Sequence, residues 1–204
     1  MKKILFLSGI LSFISLNECY SQKKIREGVA IFEIGMIKSK FISSQGTIYF
    51  KNGNIRTERK IMGENEIKIY PKDSNFFYQY YEKDTSKIVE KYQYPSQIDS
   101  GCIVKFSDET RIIAGIKCKK AIAFFLQDND TLDIWFTDEI DGKNQFAFNF
   151  KNINGFIMEV KDYKRLLNTN IIGASINKRR VKQKLFELPR GSKVIPHKNI
   201  FIGM

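Results

Sequence analysis

The sequence predicts an all-β protein: a single domain made of a curved antiparallel sheet, half-barrel-like, with few short helices. Three observations lead to this fold class. Turn signals recur roughly every 8–12 residues, the runs between them are rich in β-branched and aromatic residues, and no long window shows the apolar period of an amphipathic helix. With 204 residues, 43% of them hydrophobic, the chain is long enough for one packed core and short for two.

The N-terminal segment has the pattern of a secretory signal peptide. A positively charged start, 1–3, is followed by an apolar run, 4–16, and then by a polar stretch. The apolar run is too short to span a bilayer, which takes about 20 residues, and no other stretch of the chain approaches that length. Cleavage after Ser21, which removes 1–21, therefore predicts an exported chain, periplasmic or extracellular, without a transmembrane segment.

The mature chain, 22–204, is predicted to be one β-rich domain whose tail becomes less regular from about residue 189. Lipidation of Cys19 is the alternative to cleavage after Ser21, but the charged Glu18 directly before Cys19 fits a lipoprotein signal poorly. Pro is scarce and no Gly/Ser-rich linker interrupts the chain, so no domain boundary is expected.

The strongest local signal is Asn52-Gly53, which stands between two alternating runs, 47–51 and 54–59. A type I′ turn needs positive φ at both central residues, and Asn-Gly is the dipeptide that adopts it most readily. This turn also sets the register of the hairpin. The predicted cross-strand pairs are Phe50–Ile55 and Tyr49–Arg56.

The other strands follow from the same pattern of apolar or alternating runs between turn residues. They are predicted at 28–37, 66–70, 76–81, 87–94, 102–106, 112–126, 131–137, 145–150 and 156–160, with a less clearly alternating run at 175–188. Turns are predicted at 71–75, at 127–130 and at a second Asn-Gly pair, Asn154-Gly155. The one stretch with a short helical pattern is 162–167.

Some strands are apolar at both odd and even positions, above all Ala121–Leu126. A sheet with one wet face would alternate, so the centre of this sheet is either covered on both sides or curled around its own contents. The aromatic rows on these strands either fill a core or line a hydrophobic cavity. The candidate ligand-lining residues are Phe124, Trp135, Phe146, Phe148 and Phe156.

The formal net charge of the chain is +12. Its basic residues are mostly Lys and are spread without a long basic run, whereas nucleic-acid surfaces usually rely on Arg. We therefore expect no nucleic-acid partner. The tightest cluster consists of Lys178, Arg179, Arg180 and Lys182, which are candidates for contact with an anionic surface such as lipid headgroups or acidic glycans.

Several stretches resemble known families of exported proteins. The run Arg-Ile-Ile-Ala-Gly-Ile-Lys-Cys-Lys-Lys-Ala at 111–121 resembles the I-x-G-Y-x-C-x-K-A stretch of the GLPGLI family, and Ile-Trp-Phe-Thr-Asp-Glu-Ile at 134–140 resembles its W-Y-T-x-E-I segment. Asn-Ile-Asn-Gly-Phe-Ile at 152–157 stands where that family carries its name motif. Residues 49–58 resemble a neighbouring family whose fold is like that of the periplasmic lipoprotein carriers (LolA-like).

The resemblance covers roughly residues 45–160. It implies an envelope protein of the Bacteroidetes type that is mostly β and has no established activity. Carrier-like folds are half-barrels that can hold a lipid chain, but fold by itself does not fix function.

Two cysteines, Cys102 and Cys118, remain after signal cleavage, in a compartment where disulfides persist. A four-residue loop after Phe106 would leave them about 10 Å apart along the strand, beyond disulfide reach. A loop at 109–111 instead places Cys102 directly opposite Cys118 and gathers apolar residues on one face. Because the hydrophobic pattern sets register, we predict the second arrangement and a Cys102–Cys118 disulfide; two buried free thiols in adjacent strands are the alternative.

The sequence lacks the residue sets of the common catalytic and metal sites. His197 is its single histidine, it has neither a Gly-rich phosphate loop nor a Gly-x-Ser-x-Gly elbow, and its acidic cluster at 128–130 lacks the EF-hand spacing. We therefore expect no catalytic residues, no metal site and no cofactor.

Two functions fit these features. The first is a non-catalytic, exported cell-envelope protein that binds an apolar or amphipathic ligand, such as a lipid or lipoprotein, in its curved sheet. The alternative is a protein- or glycan-interaction module with a filled core and no small-molecule cavity. The expected partners are accordingly lipid or another envelope protein.

Overall fold

The structure is a computed structural model that describes residues 24–36, 42–84, 86–93, 102–126, 129–143, 150, 152–162 and 169–197. Within these residues the chain forms strands and one 3₁₀ turn, Gln183–Phe186, and no α-helix. The strands are β1 (Glu27–Met36), β2 (Ile42–Lys51), β3 (Asn54–Ile61), β4 (Glu64–Tyr70), β5 (Phe76–Tyr81), β6 (Ile88–Gln93), β7 (Cys102–Ile113), β8 (Ile116–Phe125), β9 (Asp130–Thr137), β10 (Phe156–Asp162), β11 (Thr169–Asn177) and β12 (Lys193–Pro196). The all-β prediction is confirmed.

All twelve strands belong to one open sheet in the order β12-β6-β5-β4-β3-β2-β1-β11-β10-β9-β8-β7. Neighbouring strands are antiparallel except β12, which pairs parallel with β6, with Lys193 opposite Ile88. To reach this position, the chain leaves β11 and crosses the sheet to its far edge. No helix in the described part of the chain has the length and apolar content to cross a bilayer.

The sheet must curve strongly, since a short connection joins its two ends. In a flat sheet β6 and β7 would lie ten strand spacings apart, about 48 Å. Gln93 and Cys102 are only nine residues apart in sequence, and a fully extended chain of that length spans at most about 32 Å. The predicted half-barrel shape is therefore a consequence of chain length as well as of packing.

The core confirms this curvature, because residues from distant strands pack in the same cluster. Tyr70 of β4 shares it with Ile113 of β7 and Ile116 of β8. We call this cluster the inner core. Its buried residues are Ala30, Phe32, Ile48, Phe50, Ile55, Tyr70, Ile113, Ile116, Cys118, Trp135, Ile140, Phe156, Met158 and Ile171.

A second cluster, the outer core, lies on the opposite face of β8 and β9. On β9, Trp135 belongs to the inner core while its neighbours Ile134 and Phe136 belong to the outer one, and successive strand residues point to opposite faces. Phe150 and Ile153, which precede β10, cover this outer face. Burial on both sides explains why these strands are apolar at odd and even positions.

The segment after β9 closes over the inner core. Ile140 is 2% exposed and packs in it. The backbone N–H of Ile25 donates to the carbonyl of Glu139 (2.7 Å), and that of Asp141 donates to the carbonyl of Ile25 (2.9 Å). Ile25, which lies just before β1, and this segment therefore hold each other in place through backbone hydrogen bonds.

The first Asn-Gly hairpin is confirmed in detail. Asn52 and Gly53 both have positive φ, 48° and 87°, as a type I′ turn requires. Phe50 lies opposite Ile55 and Tyr49 opposite Arg56, as predicted.

The second Asn-Gly pair is different, and the prediction of an equivalent turn there is wrong. Neither Asn154 nor Gly155 has positive φ. A Cβ on Gly155 would lie 2.7 Å from the carbonyl oxygen of Thr137 and 2.7 Å from the Phe136 ring. Gly155 therefore serves a close approach of chains at the start of β10.

The predicted disulfide is also wrong, because β7 and β8 pair in another register. Their turn is at Ala114-Gly115, where φ is 49° and 77°. Cys102 lies opposite Phe125 and Cys118 opposite Arg111, so the two cysteines are about 23 Å apart along the strands. Both are thiols. Cys118 is buried in the inner core, and desolvation by burial raises its thiol pKa to about 11.

The predicted strand at 102–106 extends to Ile113 as β7, and the run 175–188 is strand only to Asn177. The signal peptide at 1–21, most of the predicted strand at 145–150 and most of the predicted helix at 162–167 lie outside the described residues.

Candidate functional site

The predicted ligand-lining residues do not form one site among the described residues. Trp135 is 7% and Phe156 0% exposed, and both pack in the inner core. Phe156 contacts the rings of Phe32 and Phe50 at centroid distances of 6.2 and 5.6 Å. Half-buried Phe124 lies beneath Lys105, whose Nζ is 5.2 Å from its ring centre. Phe146 and Phe148 lie outside the described residues.

A buried ion pair completes the inner side of β9. Glu159 is 1% exposed and pairs with Arg111, whose guanidinium carbon lies 4.3 Å from the Trp135 ring centre. Lys161 Nζ is 3.6 Å from Glu159 Oε1. The cluster places one carboxylate between two cations and links β7 to β10 across the sheet. Its geometry is that of a structural ion pair.

The described surface carries one open cleft that combines aromatic and polar groups. It has a volume of about 420 Å³ and lies where β7, β8 and β9 meet the segment before β10. Its lining residues are Phe106, Ser107, Lys119, Lys120, Phe136, Asp138, Asn152 and Asn154. This volume falls within the range of about 300–1,000 Å³ usual for small-ligand sites.

The aromatic side of the cleft is Phe106, which is 58% exposed. Its ring meets Phe136 edge to face, with the centroids 5.9 Å apart. Phe106 reaches solvent because β7 is an edge strand of the sheet. Just after it a bulge places residues 107–109 of β7 against the single residue Lys120, and bulges are a common means of redirecting side chains. The cleft therefore presents an aromatic ring that is held by Phe136 and is more than half exposed.

The polar side of the cleft offers charged and amide groups. Lys119 Nζ lies 2.8 Å from Asp138 Oδ2, and this hydrogen bond holds the pKa of the Asp138 carboxyl below its usual value. The exposed Asn152 and Asn154 contribute side-chain amides, which both donate and accept hydrogen bonds. Such a set suits a neutral ligand with many hydroxyl or amide groups.

The predicted anionic-contact residues lie on a separate surface. After β11 the chain crosses the face of β1, β2 and β3 as a segment that we call the basic strap, 178–187. Lys178, Arg179, Arg180 and Lys182 are all exposed on it, while Val181 between them is 4% exposed. The strap continues to β12 at the sheet edge.

Sequence reasoning singled out the strap but missed the cleft. Phe106 and Phe136 are 30 positions apart, and only the observed pairing of β7, β8 and β9 brings them together. No sequence pattern marked Phe106 as exposed, since the predicted register put it on an apolar face. Among the described residues no cluster of His, Cys, Asp or Glu is arranged to hold a metal ion.

Comparison with known proteins gives a likeness in fold. No family model and no curated protein matches the chain. Two solved structures of PNGF-II, in space groups C2 and P21, are similar, with TM-scores of 0.63 and 0.62 and 14% sequence identity in each case. They cover 85% and 84% of this chain, which spans only 31% and 32% of theirs. At this identity the likeness supports a shared fold.

Proposed function

We propose that this chain is an exported, non-catalytic glycan-interaction module that binds a neutral saccharide in the cleft beside Phe106. The observation that carries the proposal is the exposed ring of Phe106, which contacts Phe136 and shares its cleft with amide and charged side chains. The apolar face of a sugar ring packs on an aromatic face, and sugar hydroxyls bond to amides and carboxylates. The cleft offers both kinds of contact.

The packing of the inner core favours a surface site over an internal one. Trp135 and Phe156, predicted to line a cavity, instead pack against other core side chains. Binding of an apolar ligand within the curved sheet stays a prediction. Of the predicted lining residues that the structure describes, half-buried Phe124 is the one that lies outside the inner core. Export likewise rests on the N-terminal sequence pattern.

The test is an NMR titration of the ¹⁵N-labelled protein with neutral oligosaccharides: cellohexaose, chitohexaose and mannohexaose. We expect at least one to shift the amide signals around Phe106, Asp138 and Asn152. Phe106→Ala should weaken this binding at least tenfold. Ile112→Ala is the matched control, because Ile112 is a 73% exposed apolar residue of the same strand outside the cleft, and it should bind as the parent does.

A different outcome would overturn the proposal. A parallel titration in which palmitate shifts inner-core amides and no oligosaccharide shifts the cleft amides would favour the internal apolar site. Equal loss of binding in Phe106→Ala and Ile112→Ala would show that the cleft is not the site.

A further inference from the structure

The basic strap concentrates positive charge on a short piece of chain. Five of the seven residues at 178–184 are Lys or Arg, and the first acidic residue after them is Glu187. These cations are exposed, and in the described part of the chain none of them forms an ion pair. The five are Lys178, Arg179, Arg180, Lys182 and Lys184.

The backbone of the strap is held in place. The Val181 N–H donates to Glu27 Oε2 (3.3 Å), and its carbonyl accepts from Lys51 Nζ (2.6 Å). Four residues later the carbonyl of Leu185 accepts from Arg56 Nη1 at 2.9 Å. The strap is therefore clamped to β1, β2 and β3 at two points.

The clamp stays charged at neutral pH. Lys51 Nζ lies 3.1 Å from Glu27 Oε2. The hydrogen bonds from Lys51 and from the Val181 N–H hold the pKa of the Glu27 carboxyl below its usual value. A clamped segment loses less conformational freedom on binding than a free one does, so its charges are ready for a partner.

The arrangement of the charges indicates the form of the partner. The strap is non-helical up to Lys182, whose backbone is extended (φ −67°, ψ 130°). Lys178, Arg179, Arg180 and Lys182 are all exposed along it. The cations therefore follow one another along a single segment of chain, a form that suits a linear polyanion lying along that segment.

The distribution of exposed apolar side chains also favours a polyanion over a lipid bilayer. None of the large exposed hydrophobic side chains of the described residues lies on the strap, so it has no group to insert into a lipid bilayer. Arg guanidinium groups bind carboxylates in a bidentate manner. From these observations we propose that the basic strap is a docking site for a linear acidic polysaccharide, distinct from the neutral-saccharide cleft.

The test measures binding of the whole chain to polygalacturonate oligomers by calorimetry at low salt, with neutral dextran as a blank. The strap variant carries Lys178→Gln, Arg179→Gln, Arg180→Gln and Lys182→Gln, and should bind at least tenfold more weakly. The matched control removes the same charge from exposed lysines elsewhere, Lys60→Gln, Lys83→Gln, Lys117→Gln and Lys143→Gln, and should change affinity less than threefold. Far-UV circular dichroism checks that both variants are folded.

A second variant, Glu27→Gln, tests whether binding depends on the strap being held in place or only on the net charge of the protein. This variant makes the protein more positive by one charge and weakens the clamp, because a neutral amide replaces the carboxylate that pairs with Lys51 and accepts from the Val181 N–H. We expect it to bind two- to fivefold more weakly. Equal weakening in the strap and control variants, or tighter binding by Glu27→Gln, would overturn the proposal. So would strap-dependent binding to phosphatidylglycerol vesicles without any binding to polygalacturonate.

Discussion

The two faces of β8 and β9 are both buried but differ in what they present. On the inner face Cys118 and Trp135 meet residues from nearly the whole sheet and are sealed by the segment around Ile140. On the outer face Phe136 packs against Phe150 and Ile153 and also borders the open cleft. The difference teaches that the curvature has turned one face into a continuous core, whereas the described open cleft borders the other face.

The largest expected contrast is in the labelling rates of the two thiols, Cys102 and Cys118. Cys118 is 0% exposed in the inner core, whereas Cys102 is partly exposed and packs beside the outer core. Labelling of Cys118 should require global unfolding, which for a stable domain slows it by on the order of 10³-fold or more. Iodoacetamide labelling of the native protein, followed by peptide mass spectrometry, measures both rates.

In denaturant without reductant, both cysteines should label fully, as thiols do. Similar native rates for Cys102 and Cys118 would instead mean that the inner face opens readily. That result would revive the hypothesis of an internal ligand.

The next contrast compares one phenylalanine from each core. Phe156 is 0% exposed in the inner core, and Phe136 is 7% exposed in the outer core. Phe156→Ala should lower the free energy of unfolding by about 3–5 kcal/mol, the usual cost of removing a buried ring. Phe136→Ala should cost less, because solvent in the cleft can fill part of the space. Urea denaturation measures both, and an equal or larger cost for Phe136→Ala would contradict the distinction.

The smallest effect concerns the turn that decides which residues of β8 face inward. Ala114 has φ of 49°, a left-handed conformation that costs a residue with a Cβ about 1–2 kcal/mol. Ala114→Gly relieves this cost but adds backbone entropy to the unfolded chain. The net expectation is a gain in stability of up to about 1 kcal/mol, measured by the same urea titration.

The other hairpin provides the control for that substitution. Asn52 has nearly the same φ, 48°, and also precedes a glycine, but Asn tolerates this conformation. Asn52→Gly should therefore change stability by less than Ala114→Gly does. A loss of stability in Ala114→Gly would show that the turn is not strained.

These two hairpins also show how far the sequence could predict the fold. Asn52-Gly53 has a composition that specifies its turn, so the register of β2 and β3 followed correctly. Ala114-Gly115 forms the same kind of turn from a residue that rarely adopts positive φ, so nothing local marked it. The turn was placed several residues too early, and Cys118 was therefore assigned a wrong partner.

The candidate sites follow the same division. The cations of the basic strap are adjacent in sequence, so composition alone located them. The cleft gathers residues from three strands and the segment before β10, and its shape depends on a bulge in β7 that no residue pattern announces. Contacts between distant segments are what single-sequence reasoning lacks.

The central pairing of the sheet also has a consequence for folding speed. Val29 of β1 lies opposite Asn177 of β11, so the two halves of the sheet join only when residues about 150 positions apart meet. Pairings of such high sequence separation require costly loop closure and slow the search for the native state. In a chain synthesised from its N-terminus, one edge of β1 stays unpaired until most of the protein has been made. We therefore expect this edge to be the part of the chain that a chaperone binds.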